Sequence, residues 1–431
     1  MTFYQWLKSH RQQLLTPQAA ANAPNALVRA LVMGMTAAVS GLFLTRLLTT
    51  VAQILIVREL GPERNGEYGT IISSLGLLAG FLAWGLDTWL LKNVGSHPER
   101  LAEFVWNVLG IKLIGTVGLL LALVLIWSGN IERTPVFFVG ALGMVFDGFA
   151  QTCYSALRAT RRNGQVAFFQ TLSPLLLVLV LLALQSSSIS VLLLIILQMC
   201  CSAAVCATLL VRLWREHGSP LRQPFQIGRV IGTAWLFVAA DVLANIYSQS
   251  STVILGRMFS ETAVGIFRPA LTMMSLTYMV PNLLFAVSLP LLSAPNISRP
   301  AYFGLLRTIS LAALAYGLLA GLGLFFLSDL LIRVALGRPY AGVAPLVQAL
   351  SVVPLLKTFS FIFAAVMLSY NQQRLRVLVQ CGVVLLMVPL GLLVIPRYGL
   401  SGAVWTVIGI EALLCVLYGL CSAWLLRRPL P

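Results

Sequence analysis

Six ionisable side chains lie within long apolar runs: the cations Arg46, Arg268 and Lys357, and the acids Asp147, Asp241 and Glu411. A charge with apolar neighbours on both sides of it in sequence must find a partner or face water, because burying it alone is costly. Arginine presents a planar fork of donors that matches phosphate or carboxylate oxygens, so Arg46 is a candidate anion contact. Lys357 and Arg268 are second candidates for the same anion. Asp241, Asp147 and Glu411 could each exchange a proton or bind Na⁺ as coupling groups, or could balance Arg46 or Lys357 in an ion pair.

Arg46 does not stand alone. With Thr49, Thr50 and Gln53 it follows helical spacing and forms a polar stripe on one face. A shift of 199 residues lays Asn245, Ser248, Gln249 and Thr252 over those positions, Val57–Leu60 over Gly256–Phe259, Gly66 over Gly265 and Tyr68 over Phe267. Two matched stripes that avoid lipid point inward at a shared cavity, where Gln53, Asn245 and Gln249 would join Arg46 as substrate contacts. The alternative is two helices hydrogen-bonded together around no cavity.

The elements that must carry these residues are membrane spans. Hydrophobic residues make up 59% of the 431-residue chain and charged residues only 10%, a composition no water-facing surface could support. Mean hydropathy is +0.91. Runs of ~20 apolar residues, each long enough to cross a bilayer, predict spans at about 34–57, 70–91, 104–127, 136–157, 166–185, 190–212, 230–256, 264–290, 303–328, 342–370, 376–395 and 401–426. The expected fold is an all-α polytopic membrane protein of about 12 transmembrane helices in two six-helix bundles. The expected divisions are a cytoplasmic N-terminal segment over 1–33, either an interfacial helix or a disordered tail, a first bundle over 34–212, a cytoplasmic linker over 213–229, a second bundle over 230–426 and a cytoplasmic tail over 427–431. Six is even, so the halves enter the bilayer alike, as parallel repeats suited to alternating access.

The formal charge of +16 reflects orientation rather than nucleic acid: 17 of the 29 basic residues fall in links on one side, 7 on the other, and 5 within spans. That bias places both termini in the cytoplasm. Met1–Leu15 lacks the apolar core of a signal peptide, and Phe3, Trp6, Leu7 and Leu14 recur at helical spacing suited to lying on a membrane surface. Seven cysteines in apolar runs and three histidines in links form no metal-ligand spacing, and no P-loop or catalytic triad is visible, so no metal, cofactor or catalytic residue is expected. Lys112 and Arg307 are expected to reach toward headgroups and Asp87 to sit beside Lys92 at a helix end. Pro174, Pro281, Pro290, Pro354 and Pro389 are expected to bend or break their helices. Gly76–Gly80 and Gly317–Gly321 are small-residue seams.

The stretch 55–94, through Arg58, Leu60, Gly61, Gly66, Tyr68, Gly69, Gly85, Leu86 and Asp87, resembles the first two helices of polysaccharide-biosynthesis membrane proteins. These are the oligosaccharide and O-antigen flippases of the multidrug/oligosaccharidyl-lipid/polysaccharide exporter superfamily. Ile395–Ala403 looks like that family's turn before the last helix. The resemblance implies a transporter of the bacterial inner membrane that carries undecaprenyl-pyrophosphate-linked oligosaccharide to the outer leaflet, with H⁺ or Na⁺ coupling and a polysaccharide polymerase as possible partners. Arg46 and Arg268 fall at or near positions that are basic in the related lipid II flippases. The rival readings are a multidrug and toxin extruder driven by H⁺ or Na⁺, and a membrane-embedded O-antigen polymerase or ligase.

Overall fold

A computed structural model describes residues 24–83, 85–96, 100–127, 134–160, 162–184, 189–218, 227–293 and 298–428, with side chains from Phe43 onward. The expected interfacial helix over Phe3–Leu14 lies outside the described residues. The helices are α1 (Pro24–Ala83), α2 (Leu86–Ser96), α3 (Leu101–Trp127), α4 (Thr134–Ala159), α5 (Asn163–Ala183), α6 (Val191–His217), α7 (Ile227–Met258), α8 (Glu261–Thr277), α9 (Met279–Leu292), α10 (Arg299–Ala335), α11 (Ala344–Leu350), α12 (Val353–Ser369) and α13 (Gln373–Leu426). A 3₁₀ turn, Arg338–Val343, leads into α11.

Bends convert these helices into twelve crossings in two halves. α1 turns at Gly61, whose φ of 70° and ψ of 172° suit glycine, so α1 crosses the membrane twice, with α2 extending its second arm. α13 turns at Gly399 in the same way. α8 with α9, and α11 with α12, are single crossings broken part-way. The α11–α12 bend is 46°.

The prolines explain some breaks and not others. Pro281 lacks the amide that would bond Thr277, and the Tyr316 hydroxyl of α10 donates to that orphan carbonyl at 2.6 Å. Tyr316→Phe should therefore lower unfolding stability by about 1 kcal/mol, read by thermal denaturation in detergent. Pro354 opens α12. Helix continues through Pro174 and Pro389, and Gly85, just ahead of α2, takes a positive φ of 55° without a proline beside it.

Apolar packing is organised by depth. In the first half one cluster gathers near Gly61, around Ile56, Tyr68, Phe137 and Leu194. A second gathers toward the opposite end, around Leu90, Val105, Tyr154 and Leu209. The second half repeats the arrangement, with Val264, Phe267 and Tyr340 near Gly61 and Tyr302, Met367 and Tyr418 at the other end. Each half therefore keeps a middle level where polar groups can sit.

The repeat read by shifting the sequence is physical at the Gly61 end. The arms that follow Gly61 and Ser260 cross with Gly66 against Gly265, the two residues paired by the 199-residue shift. A Cβ on Gly66 would overlap the Glu261 carbonyl and stand 3.1 Å from the Gly265 nitrogen; a Cβ on Gly265 would overlap the Pro62 carbonyl and stand 3.1 Å from the Gly66 nitrogen. Asn65 adds a side-chain bond to the Gly265 carbonyl at 3.0 Å. At the opposite end α2 reaches α7, where the Trp89 indole donates to Thr233 at 2.8 Å and Val230 and Ala234 complete the cluster around Leu90. The Gly317–Gly321 seam admits Leu355 and the Ser351 carbonyl.

A candidate anion-binding cavity

Between the two apolar clusters of the first half lies an open space bounded by α1, α4, α5 and α6, with Arg268 entering from α8. It comprises two joined chambers. One, of about 300 Å³, is lined by Gln53, Tyr68, Gln198 and Arg268. The other, of about 360 Å³, is lined by Arg46, Gln151, Tyr154, Arg158 and Gln170. Thr49, Asp147, Ser173 and Ser202 line both, so Asp147 stands at the junction.

Arg46 and Arg268 keep donors that no protein acceptor takes among the described residues. Arg46 is exposed to the space, and no ion pair or hydrogen bond to its guanidinium is present among the described residues. Arg268 stacks its guanidinium over the Tyr68 ring at 5.3 Å, and its buried Nη1 has no hydrogen-bond partner. Tyr68 is itself held by Gln198, whose amide donates to the hydroxyl at 2.8 Å. Asp147 lies beside Ser202 in the lining and makes no ion pair among the described residues. The unpaired guanidinium of Arg46 and the open Nη1 of Arg268, whose guanidinium is pinned by Tyr68, leave donors directed at whatever fills the space.

Lys357 is elsewhere. Its ammonium lies 2.6 Å from Glu411 Oε1, 3.4 Å from the Tyr247 hydroxyl and 5.3 Å from the Tyr247 and Tyr278 rings, at the middle level of the second half. Side-chain exposure is 12% for Lys357 and 6% for Glu411, so both ends of the pair are withdrawn from the cavity. The structure thus joins Arg46 with Arg268 and not with Lys357, and it spends Glu411 on that lysine.

The second polar stripe also departs from expectation. Thr49 and Gln53 of α1 line the cavity, whereas Asn245 and Gln249 of α7 do not. Asn245 donates back to the Asp241 carbonyl at 2.9 Å, and Gln249 packs along Gly76, where the missing side chain lets it lie 3.3 Å from a Cβ position. Asp241 sits across the interface between halves, near the Gly85 backbone and the charges of Asp87, Lys112 and Arg376.

Lys112 is buried rather than reaching for headgroups. It bonds both oxygens of Asp87, at 2.8 and 3.0 Å, and the Gly148 carbonyl at 2.8 Å, while Thr152 donates to the same Asp87 at 2.8 Å. Asp87 is therefore an anchor that ties α2 to α3 and α4. The lysine and aspartate are 25 residues apart, beyond the reach of any helical spacing rule.

The residues carrying the family resemblance acquire roles. Arg58 donates from Nε to the Ala335 carbonyl at 2.6 Å and from Nη2 to Val334, capping the end of α10. Gly61 makes the bend, Gly66 the crossing, Tyr68 carries Arg268, and a Cβ on Gly69 would press on the Arg268 Cδ at 3.0 Å.

A solved lipid II flippase, MurJ, in an inward closed conformation superposes with a TM-score of 0.74, at 15% identity over 91% of this chain and 87% of that one. An inward-facing multidrug resistance transporter of the MATE family gives 0.67, with 12% identity over 90% and 97%. The MATE multidrug transporter DinF-BH gives 0.66, with 19% identity over 94% and 95%. These likenesses show a shared fold. No curated protein sequence matches the chain. The family described as polysaccharide biosynthesis protein matches residues 31–294, well over half of the sequence, and the chain belongs to that family.

Proposed function

We propose that this protein is a flippase carrying an undecaprenyl-pyrophosphate-linked oligosaccharide from the cytoplasmic to the outer leaflet of the bacterial inner membrane, for surface polysaccharide assembly. The carrying observation is the cavity: Arg46 without a protein partner and Arg268 with an unpartnered Nη1 offer charge-assisted donors to a diphosphate. Gln53, Gln198 and the shared hydroxyls of Thr49, Ser173 and Ser202 suit sugar hydroxyls beside it. The bias of basic residues among the links supports cytoplasmic termini; with that orientation the Gly66–Gly265 contact closes the outer end and leaves the loading side inward. Family membership and the flippase and transporter folds support the same reading. An organic-cation extruder fits less well, because the positive charges of Arg46 and Arg268 in the cavity would repel its substrate.

The test is transbilayer movement of a lipid-diphosphate oligosaccharide in proteoliposomes. Wild type should move it; Arg46→Ala should reduce movement at least ~100-fold; Arg46→Lys should retain a part, because charge survives while the fork is lost. Normal movement in a well-inserted Arg46→Ala protein would reject the anion site. Drug uptake without lipid movement would favour the extruder.

A further inference from the structure

Among the described lining residues of the cavity, Asp147 alone is acidic. Glu411 is engaged by Lys357 at 2.6 Å, and Asp241 lies at the interface between halves. Asp147 stands where the chambers meet, with Arg46 in one and Arg268 in the other.

A diphosphate diester spanning two arginines brings two negative charges against two positive ones. An ionised Asp147 then leaves one negative charge in excess within a cavity walled by apolar helices, and the carboxylate and phosphates repel at short range. One proton on the carboxylate removes both penalties. The charged and titratable groups facing Asp147 are Arg46 from α1, Tyr68 from the second arm of α1, Tyr154 and Arg158 from α4, Cys201 and Cys206 from α6 and Arg268 from α8. Arg158 is eleven residues further along the same helix, about 16 Å at 1.5 Å per residue, so it does not offset the excess at the junction. Ordinary thiols and phenols release their protons only above neutrality, which leaves Asp147 to take the proton.

Resting on the reading of the cavity as a diphosphate site, we propose that Asp147 makes diphosphate binding proton-linked: the proton enters from the aqueous phase that the cavity faces, resides on the Asp147 carboxylate while the diphosphate is held, and returns to water when the diphosphate leaves. Substrate and proton then favour each other's binding by the same factor.

The experiment is calorimetric titration of the detergent-solubilised full chain with a citronellyl diphosphate sugar, from pH 5.5 to 8.5, in buffers of different ionisation enthalpy. Both phosphates of this diester stay ionised over that range, so any proton taken up belongs to the protein. Wild type should take up close to one proton per probe at the midpoint of the linkage, and across that midpoint its affinity should fall by nearly tenfold per pH unit before levelling off at higher pH. Asp147→Asn should show no uptake, a flat affinity profile, and at least ~100-fold tighter binding than wild type once the wild-type carboxylate is ionised in both states, the weakening that uptake near one proton entails. Asp147→Glu should restore uptake. The same uptake in Asp147→Asn would overturn this inference and leave the anion site standing, as would pH-independent binding by wild type. Binding weakened equally at every pH in Asp147→Asn would place Asp147 on the sugar and overturn it too. No binding of the probe by wild type would overturn the anion site and this inference together.

Discussion

Lys357→Met is expected to be among the most destabilising single substitutions in the second half, costing about 3–5 kcal/mol. Its ammonium is the ion-pair partner of Glu411 at 2.6 Å, and the other oxygen of that carboxylate has no hydrogen-bond partner among the described residues. Removing the lysine leaves a charge stranded between the apolar clusters around Phe267 and Met367. The double variant Lys357→Met/Glu411→Leu should recover most of the loss, since a matched apolar pair avoids desolvating either ion. Thermal unfolding of the three proteins in one detergent reads both effects. The double variant should also still move lipid-diphosphate oligosaccharide. If stability returned while movement vanished, Glu411 would belong to the transport cycle and not to the scaffold.

The crossings and their doubling were legible in the sequence because bilayer thickness imposes a length that apolar runs must meet, and because the 199-residue shift carried glycines onto glycines. The rotation of each helix about its axis was not legible. A span that is apolar all round has no moment to say which way its one charge points. Lys357 and Arg46 both fall near mid-span, and nothing in their flanking residues sends one to an ion pair and the other to a cavity. The same gap hid the Lys112–Asp87 bond, which the spacing of 25 residues conceals, and assigned α7's Asn245 and Gln249 to a cavity that they do not line. Arg268 was better signposted. It lies three residues after Gly265, and Tyr68, which holds its guanidinium, lies two after Gly66, so the paired glycines locate both.

Gly66→Ala and Gly265→Ala are each expected to keep the Gly61 end from closing and to lower transport at least ~100-fold, although neither residue touches the cavity. The added methyl would overlap a carbonyl of the opposing arm, Glu261 in one case and Pro62 in the other. Backbone cannot swing aside as a long side chain can, so the arms must separate. Separation also releases the Asn65 bond to Gly265 and the packing of Val264 against Gly69. The cluster around Leu90 is remote from the change, which should leave the protein folded with its halves parted at one end. A reporter lies at hand in Thr70, which is buried and faces Gly256 across the same contact. With the seven native cysteines replaced, Thr70→Cys should resist a membrane-impermeant maleimide in the otherwise native protein and react at least tenfold faster when Gly66 or Gly265 carries a methyl. Protection and transport both left intact by the methyl would mean that the glycine contact is not what shuts this end. Protection lost with transport intact would mean that closure there is dispensable. Only loss of both ties the repeat-related glycines to the cycle that moves the substrate.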